Sequence, residues 1–412
     1  MNKIILKIIF ASIFLISLSF GQTLNLFDYS TLEKIKESYI ENGNYQKEID
    51  NLNMLANIAL KEAPYTITKY SAPKIEGASV NDYYSDSPYW WPVEGDSLAP
   101  YIRKDGERNP DRFMNHKNEL AKFYKGLFAL AFYSYFTNNM DYGKQANNIL
   151  RVWFIDEATK MNPNLKYSQL IRNKTNRRGV GIIDGRRLAV LTEAIILLKM
   201  NNQLEEDVYS GIQKWYADFF IWLTTSYYGL DEMNRGNNHG TWWTYQVASL
   251  SSILKNTDMI VKLGEHSKHF LLDNQIDENA RQPLEEERTR SLSYSIFNLT
   301  AHSFLNSILL KNNIDNWNYI NENGVTLINV IDYLIPFVKE PSSWKIKQIK
   351  SIDNSGMLFL ALAGLELNNI KYLKLYDELS NYEESELNKS TFDPIQIVLD
   401  SIVKFKINEY EK

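Results

Sequence analysis

Five histidines occur in the chain, and one of them, His239, stands in a setting that suggests chemistry. It lies in Asn234-Arg235-Gly236-Asn237-Asn238-His239-Gly240-Thr241-Trp242-Trp243, directly before a helical pattern. An asparagine there would cap the helix well, but a cap needs only one and explains neither the imidazole nor the paired tryptophans. A helix N-terminus also offers free N–H groups to an anion. These features together mark a functional site.

A second constellation is Glu285-Glu286-Glu287-Arg288-Thr289-Arg290-Ser291-Leu292-Ser293-Tyr294-Ser295-Ile296-Phe297-Asn298. Read as a helix, it puts Arg290, Tyr294 and Phe297 on one face and Arg288 on another. An arginine beside a phenol favours phenolate, so the expectation is a Tyr294 pKa below the usual ~10 and a tyrosine fit to act as a base. A core tyrosine with surface arginines is the plainer alternative. Two loops add binding groups. Tyr83-Tyr84-Ser85-Asp86-Ser87-Pro88-Tyr89-Trp90-Trp91-Pro92 offers Tyr89, Trp90 and Trp91 as flat platforms for sugar rings, or else as rings that pin the loop. Arg172 through Arg187, with Arg178 between them, is basic in an acidic chain and suits a polymer bearing one carboxylate per unit. His266 and His269 are three apart without an HExxH pattern, which predicts a solvated helix face rather than a metal site. His116 reads as a neighbour of a helix cap, and His302 as a core histidine.

The elements that must hold these residues are helical. Apolar residues at Leu120, Phe123, Tyr124, Leu127, Leu130 and Ala131 form one stripe within 117–136. Similar patterns recur near 45–62, 141–155, 186–200, 207–227, 241–255, 257–274, 290–311, 325–338, 355–367 and 394–406. Strand-like alternation is scarce, and there is no nucleotide-binding βαβ unit or glycine-rich phosphate loop. Two long segments, 67–115 and 157–185, interrupt the helices; their aromatic content points to functional loops. The prediction is an all-α chain folded as one incomplete α/α toroid of helical hairpins over 22–412, with the long loops shaping a cleft.

Composition narrows the function. The 412 residues are 44% hydrophobic and 23% charged, as in a globular protein. With 45 basic against 50 acidic side chains, nothing advertises nucleic-acid binding. The absence of cysteine excludes disulfides and thiolate chemistry. Residues 1–21, with Lys3 and Lys7 before an apolar run ending in Ser19-Phe20-Gly21, read as a signal peptide. The expectation is an exported protein, periplasmic or secreted, with no membrane association after cleavage.

Taken together, Asn237-Asn238-His239-Gly240-Thr241-Trp242 and the later Arg-Thr-Arg-Ser-Leu-Ser-Tyr294 resemble the alginate lyase superfamily. So do Trp153-Phe154 with Thr159 to Gln169, Gly181-Ile182-Ile183-Asp184, and the Ser-Pro-Tyr-Trp-Trp-Pro loop. The order is right over about 80–300, and the match is nearer to polysaccharide lyase family 38 than to family 5. The resemblance implies an α/α toroid in which Asn238 and His239 face the carboxylate of the bound sugar, Tyr294 transfers the proton and an arginine assists. Family 5 has that arginine seven residues before the tyrosine, where this chain has Glu287. Arg288 and Arg290 are the substitutes, with Arg288 preferred. Ser295 follows the tyrosine where family 5 usually has histidine. Arg290, Asn237, Trp242, Tyr89, Trp90, Trp91, Gln169, Arg178 and Arg187 are the expected substrate contacts.

The chemistry so implied is metal-independent β-elimination without a cofactor. Removing the C5 hydrogen of a uronate builds charge on its carboxylate, which Asn238, His239 and Arg288 would neutralise. Tyr294 would take the proton and return it to the departing O4, a syn route suited to mannuronate or glucuronate. With the hydrogen on the opposite face, His239 becomes the base and Tyr294 the acid. The expected partner is an anionic polysaccharide, mannuronate-rich alginate first and β-1,4-glucuronan second, cut by a monomer or weak dimer. Two rivals are a toroidal glycoside hydrolase working through a carboxylate pair and a non-catalytic glycan-binding protein.

Overall fold

Capping chemistry starts and stops the first helix of the computed structural model, which describes residues 23–174, 178–352, 357–383 and 393–412. The predicted signal peptide and Arg177 of the basic loop lie outside the described residues. Helix α1 (Tyr29–Asn42) begins where the Asp28 carboxylate accepts from Thr31 N–H and ends at Gly43, whose φ of 69° a glycine adopts without strain. There follow α2 (Gln46–Glu62), α3 (Asn115–Thr137), α4 (Met140–Phe154), α5 (Arg186–Met200), α6 (Glu206–Thr225) and α7 (Tyr227–Met233). The second half holds α8 (Asn238–Ile253), α9 (Thr257–His266), α10 (Ser291–Lys311), α11 (Leu327–Lys339), α12 (Leu358–Glu366), α13 (Ile370–Glu383) and α14 (Pro394–Tyr410).

The helices make an α/α toroid. Neighbouring contacts run α3 to α5, α5 to α8, α8 to α10, α10 to α12 and α12 to α14, and α14 returns against α2 and α3. Helices α8 and α10 are buried on nearly every face, so the periodic pattern that predicts them does not single out a core-facing side. Their hydroxyls are satisfied locally: Thr244 donates to the Gly240 carbonyl at 2.8 Å, Ser251 to Val247 at 2.7 Å and Thr300 to Ile296 at 2.8 Å. Helix α4 shows the opposite pattern, burying Ala146, Ile149, Leu150, Trp153 and Phe154 on one side. Helices α1, α7 and α13 were not among the predicted patterns; each is short or largely polar.

The two long segments carry short strands that the sequence does not predict. Strand β1 (Tyr84–Asp86) pairs in parallel with β4 (Tyr167–Leu170), and β2 (Trp90–Trp91) pairs antiparallel with β3 (Ile102–Arg103). The β1–β4 pair ties the two segments into one rim. His116 is buried there, with Nδ1 accepting from Tyr84 N–H at 3.0 Å, and is more than a cap neighbour. Of the predicted solvated pair, His269 is exposed, whereas His266 turns inward and stacks on Phe270 with ring centres 4.9 Å apart. His302 is a core histidine bonded through Nε2 to Gln275 at 2.8 Å, and burial pushes its pKa down to about 3. Among the described residues no helix is long and apolar enough to cross a membrane.

Candidate active site

The rim loops and the N-terminal ends of α8 and α10 enclose a cleft of about 470 Å³. Its lining is cationic: Arg108, Arg112, Lys117, Arg186, Arg187 and Arg290 face it, with Asp86 and Asp184 as its carboxylates. Asn238, His239, Tyr294, Tyr89 and Gln169 line the same space.

Both acids are committed. Asp184 accepts from Lys117 at 2.7 Å, Ser85 at 2.8 Å and Gln169 at 3.2 Å. Burial pushes its carboxyl up, but Lys117 and these hydrogen bonds outweigh that and hold it at about 2. Asp86 accepts from Arg172 at 2.6 Å and from the Phe113 N–H at 2.6 Å. Arg186 lies over the rings of Trp242 and Phe297, and burial, then repulsion from Arg187, pulls its pKa down to about 10.

One wall is the start of α8. Asn237 is its N-cap, with the side-chain oxygen accepting from His239 N–H at 3.2 Å. His239 Nδ1 lies 2.6 Å from Oε1 of Glu232, a fully buried carboxylate at the end of α7. A carboxylate only accepts, so Nδ1 carries the hydrogen and Nε2 is the ring nitrogen left for the cleft. Asn238 is held in the same way. Its backbone N–H donates to Glu285 Oε1 at 2.6 Å, and its Nδ2 donates to both carboxylate oxygens at 2.9 and 2.8 Å. Burial raises the Glu285 pKa, against the hydrogen bonds from Asn238.

The facing wall is the start of α10. Because the helix begins only at Ser291, Arg288 sits in the preceding turn and folds back over Tyr294. Its guanidinium carbon is 4.0 Å from the phenol ring centre, and Nη2 donates to the phenol oxygen at 3.0 Å. Asp105 fixes the guanidinium, accepting at 2.8 and 3.3 Å. The loop reaches Arg288 through Gly106, whose φ is +77° and where a Cβ would collide with Thr289 Oγ1. Tyr89 meets the phenol from the rim, hydroxyl to hydroxyl at 2.7 Å.

The expected depression of the Tyr294 pKa is corrected here. Burial and then Tyr89 push it above the ordinary phenol value, and Arg288 only partly offsets them. The unliganded phenol is therefore protonated. Of the two candidate arginines, Arg288 reaches the phenol, while Arg290 lines the cleft.

Several predicted contacts fall outside the cleft lining. Trp242 is buried among Tyr245, Phe297 and Phe304, because α8 is enclosed by its neighbours. Asn237 is used by the cap. Trp91 donates Nε1 to the Glu107 carbonyl at 3.1 Å with Lys104 over its ring, which pins the loop. Trp90 lies beneath Lys174 and Arg178 beside a small hollow next to the cleft. Arg178 bonds Ser87 and the Gln169 carbonyl; burial, then Arg235, lowers its pKa to about 10. Sequence patterns did not single out Glu232, Glu285, Asp105, Arg108, Arg112 or Lys117. Arg108 and Arg112 were the findable ones, as two cations four apart in the first long loop.

Comparison with known proteins identifies the family and the fold. The family model described as alginate lyase matches residues 66–344. A solved alginate lyase from Bacteroides ovatus is 28% identical, covers 91% of this chain and 98% of its own, and superposes with a TM-score of 0.82. Alginate lyase A1-III from Sphingomonas species A1 shares the fold at 15% identity, with a TM-score of 0.52 over 85% of this chain and 94% of its own. A variant of alginate lyase A1-III complexed with a tetrasaccharide gives a TM-score of 0.53 at 17% identity, over 85% and 93%. No curated protein matches the chain.

Proposed function

The chain belongs to the alginate lyase family and is a polysaccharide lyase, and on that premise we propose that it cleaves alginate, mannuronate-rich alginate first, by β-elimination between Tyr294 and His239. The observation that carries this reading is the pair of opposed walls: a phenol under a fixed guanidinium faces the same cationic cleft as a carboxylate-backed imidazole.

The cleft cations draw in a polymer with a carboxylate on every unit. The cleft arginines stabilise the charge that develops on the C5 carboxylate as its neighbouring C–H bond breaks, and His239 adds to them when its Nε2 is protonated. The pair of electrons then forms the C4=C5 double bond and expels O4, which takes a proton from Tyr294. On mannuronate, where the C5 hydrogen and O4 share a face, Tyr294 serves as both base and acid. It must first lose its resting proton, and Arg288 at 3.0 Å is the group that stabilises the phenolate. On the C5 epimer, His239 Nε2 takes the proton and the protonated phenol is already the acid.

A glycoside hydrolase needs one carboxyl kept protonated as general acid. Asp184, held at about 2 and bonded to Lys117, is poorly placed for that, and Asp86 is bonded to Arg172. The test is ultraviolet absorbance on mannuronate-rich alginate, guluronate-rich alginate and glucuronan. The steepest rise is expected on mannuronate-rich alginate. A flat trace on all three, with reducing ends still appearing, would mean hydrolysis. A steepest rise on glucuronan would transfer the proposal to that polymer.

A further inference from the structure

Helix α10 starts without a cap of its own. Arg290 stands at its N-cap, and a guanidinium has no acceptor to offer the first amides of a helix. The acceptors come from the segment that follows α11, residues 344–350. The Lys347 carbonyl accepts from Ser291 N–H at 3.2 Å and from Ser291 Oγ at 2.8 Å. The half-buried Gln348 side chain covers the next residues: Oε1 accepts from Ser293 N–H at 3.4 Å, and Nε2 donates to Ser293 Oγ at 2.7 Å. Main-chain pairing continues the contact, with Gln348 bridged antiparallel to Arg290 and Ile349 N–H donating to the Thr289 carbonyl at 3.0 Å. Trp344 anchors the segment. Its buried ring packs edge-on against Phe337 of α11, centres 4.8 Å apart, and Nε1 donates to Ser291 Oγ at 2.8 Å.

The stretch so held lies between Arg288 and Tyr294. Thr289 is fixed from a second side by Asp105, which accepts from its N–H at 3.2 Å and from Oγ1 at 2.9 Å. Gly106 sits so close beneath Thr289 and Ile349 that a Cβ there would collide with both. Pairing with Gln348 and Ile349 keeps Arg290 and Thr289 out of the helix. Were α10 extended back over them, six residues at ~100° each would set Arg288 about 120° around the axis from Tyr294. The 3.0 Å contact between guanidinium and phenol therefore depends on the helix starting at Ser291.

We infer that Gln348 is a positioning residue for the lyase reaction: from outside the helix it fixes where α10 starts, and so holds Arg288 folded onto Tyr294. The inference rests on the Tyr294 reading above. Gln348 acts through Ser293 and Arg290, both of which line the cleft. The rival is that core packing alone holds the start of α10, through the fully buried Leu292 and Ser295.

The experiment follows ultraviolet absorbance on mannuronate-rich alginate across pH, with wild type, Gln348→Ala and Gln348→Glu. Gln348→Ala removes both side-chain bonds to Ser293 and leaves the main-chain bridge. It should lower kcat about tenfold with KM changed by about twofold or less, short of the ~10²-fold that a misplacement of ~1 Å can cost. The rise of rate with pH should move to higher pH, because Arg288 is the group that favours the phenolate. Gln348→Glu keeps an acceptor at the helix start and should recover kcat to within about threefold of wild type. A folded Gln348→Ala that melts lower but keeps the wild-type kcat and pH profile overturns the inference, as does a folded Gln348→Glu with no recovery. If Gln348→Ala does not fold, Trp344→Phe carries the test, since it removes the bond to Ser291 and keeps a ring on Phe337. The same pH shift supports the inference there, and a wild-type profile overturns it. Failure of wild type to produce unsaturated ends would instead overturn the lyase reading. Hydrogen exchange at the Tyr294 amide, which donates to the Arg290 carbonyl at 3.0 Å, then reads the positioning without activity. Exchange about fivefold faster in Gln348→Ala supports it, and an unchanged rate overturns it.

Discussion

The two walls of the cleft present their proton carriers against opposite charges. On the α8 side, buried carboxylates back the working groups: Glu232 behind His239 and Glu285 behind Asn238. On the α10 side a cation backs the working group, with Arg288 on Tyr294 and Asp105 holding the arginine from behind. A carboxylate behind an imidazole fixes its tautomer and ring orientation, and a guanidinium over a phenol favours phenolate. The α8 wall thus holds its groups in fixed orientation, and the α10 wall is suited to releasing and recovering a proton. Neither wall reaches the cleft from one element alone, since Glu232 belongs to α7, Glu285 to the turn before α10 and Asp105 to the rim loop.

Disabling the α10 wall should cost most. Tyr294→Phe removes the phenol hydroxyl that Arg288 holds and should lower kcat about 10³-fold, within the usual range for losing an acid–base group. Arg288→Leu leaves the hydroxyl but removes the group that pulls its pKa down. It should cost about 10²-fold on mannuronate-rich polymer, and the rise of rate with pH should move to higher pH. The α8 wall should respond more mildly. Glu232→Gln keeps a hydrogen-bond acceptor for Nδ1 but removes the charge, for a loss on the order of tenfold in kcat, larger on guluronate-rich polymer if His239 is the base there. The smallest effect on rate is expected from Tyr89→Phe. Tyr89 raises the phenol's pKa, so its removal should shift the rise of rate with pH to lower pH, with a rate change of about twofold. Opposite shifts in Arg288→Leu and Tyr89→Phe sharpen the contrast between walls; shifts in one direction break it.

Away from both walls, Asp184 gives a prediction for stability. Its folded pKa of about 2 lies below the ordinary aspartate value of 3.8, so its ionised form contributes about 2 kcal/mol that is present above pH ~4 and lost as pH falls toward 2. Asp184→Asn should flatten the acid limb of a stability–pH curve measured by urea unfolding.

The helical framework was legible where packing is one-sided, as in α4, because an amphipathic stripe records which face meets the core. It was also legible in α3, where the apolar density is high. In α8 and α10, which are buried all round, the periodic pattern predicted the helix but not which face meets the core. His239 and Tyr294 stood out by local company. Their backing groups did not, because what makes Glu285 matter is a partner 47 residues away, and a run of three glutamates reads locally as a solvated face. Arg288 was judged on a helix that begins only at Ser291, so its fold back onto Tyr294 was invisible to helical geometry. The same limit misplaced Trp242, whose neighbours on α10 turn a ring next to the histidine motif into core.

The most direct test of the central claim is a paired recording of ultraviolet absorbance and reducing ends from mannuronate-rich alginate, with wild type beside Tyr294→Phe. The account predicts that both signals rise together in wild type and fall together about 10³-fold in the variant. Reducing ends without absorbance, or a variant with wild-type rates, would contradict it.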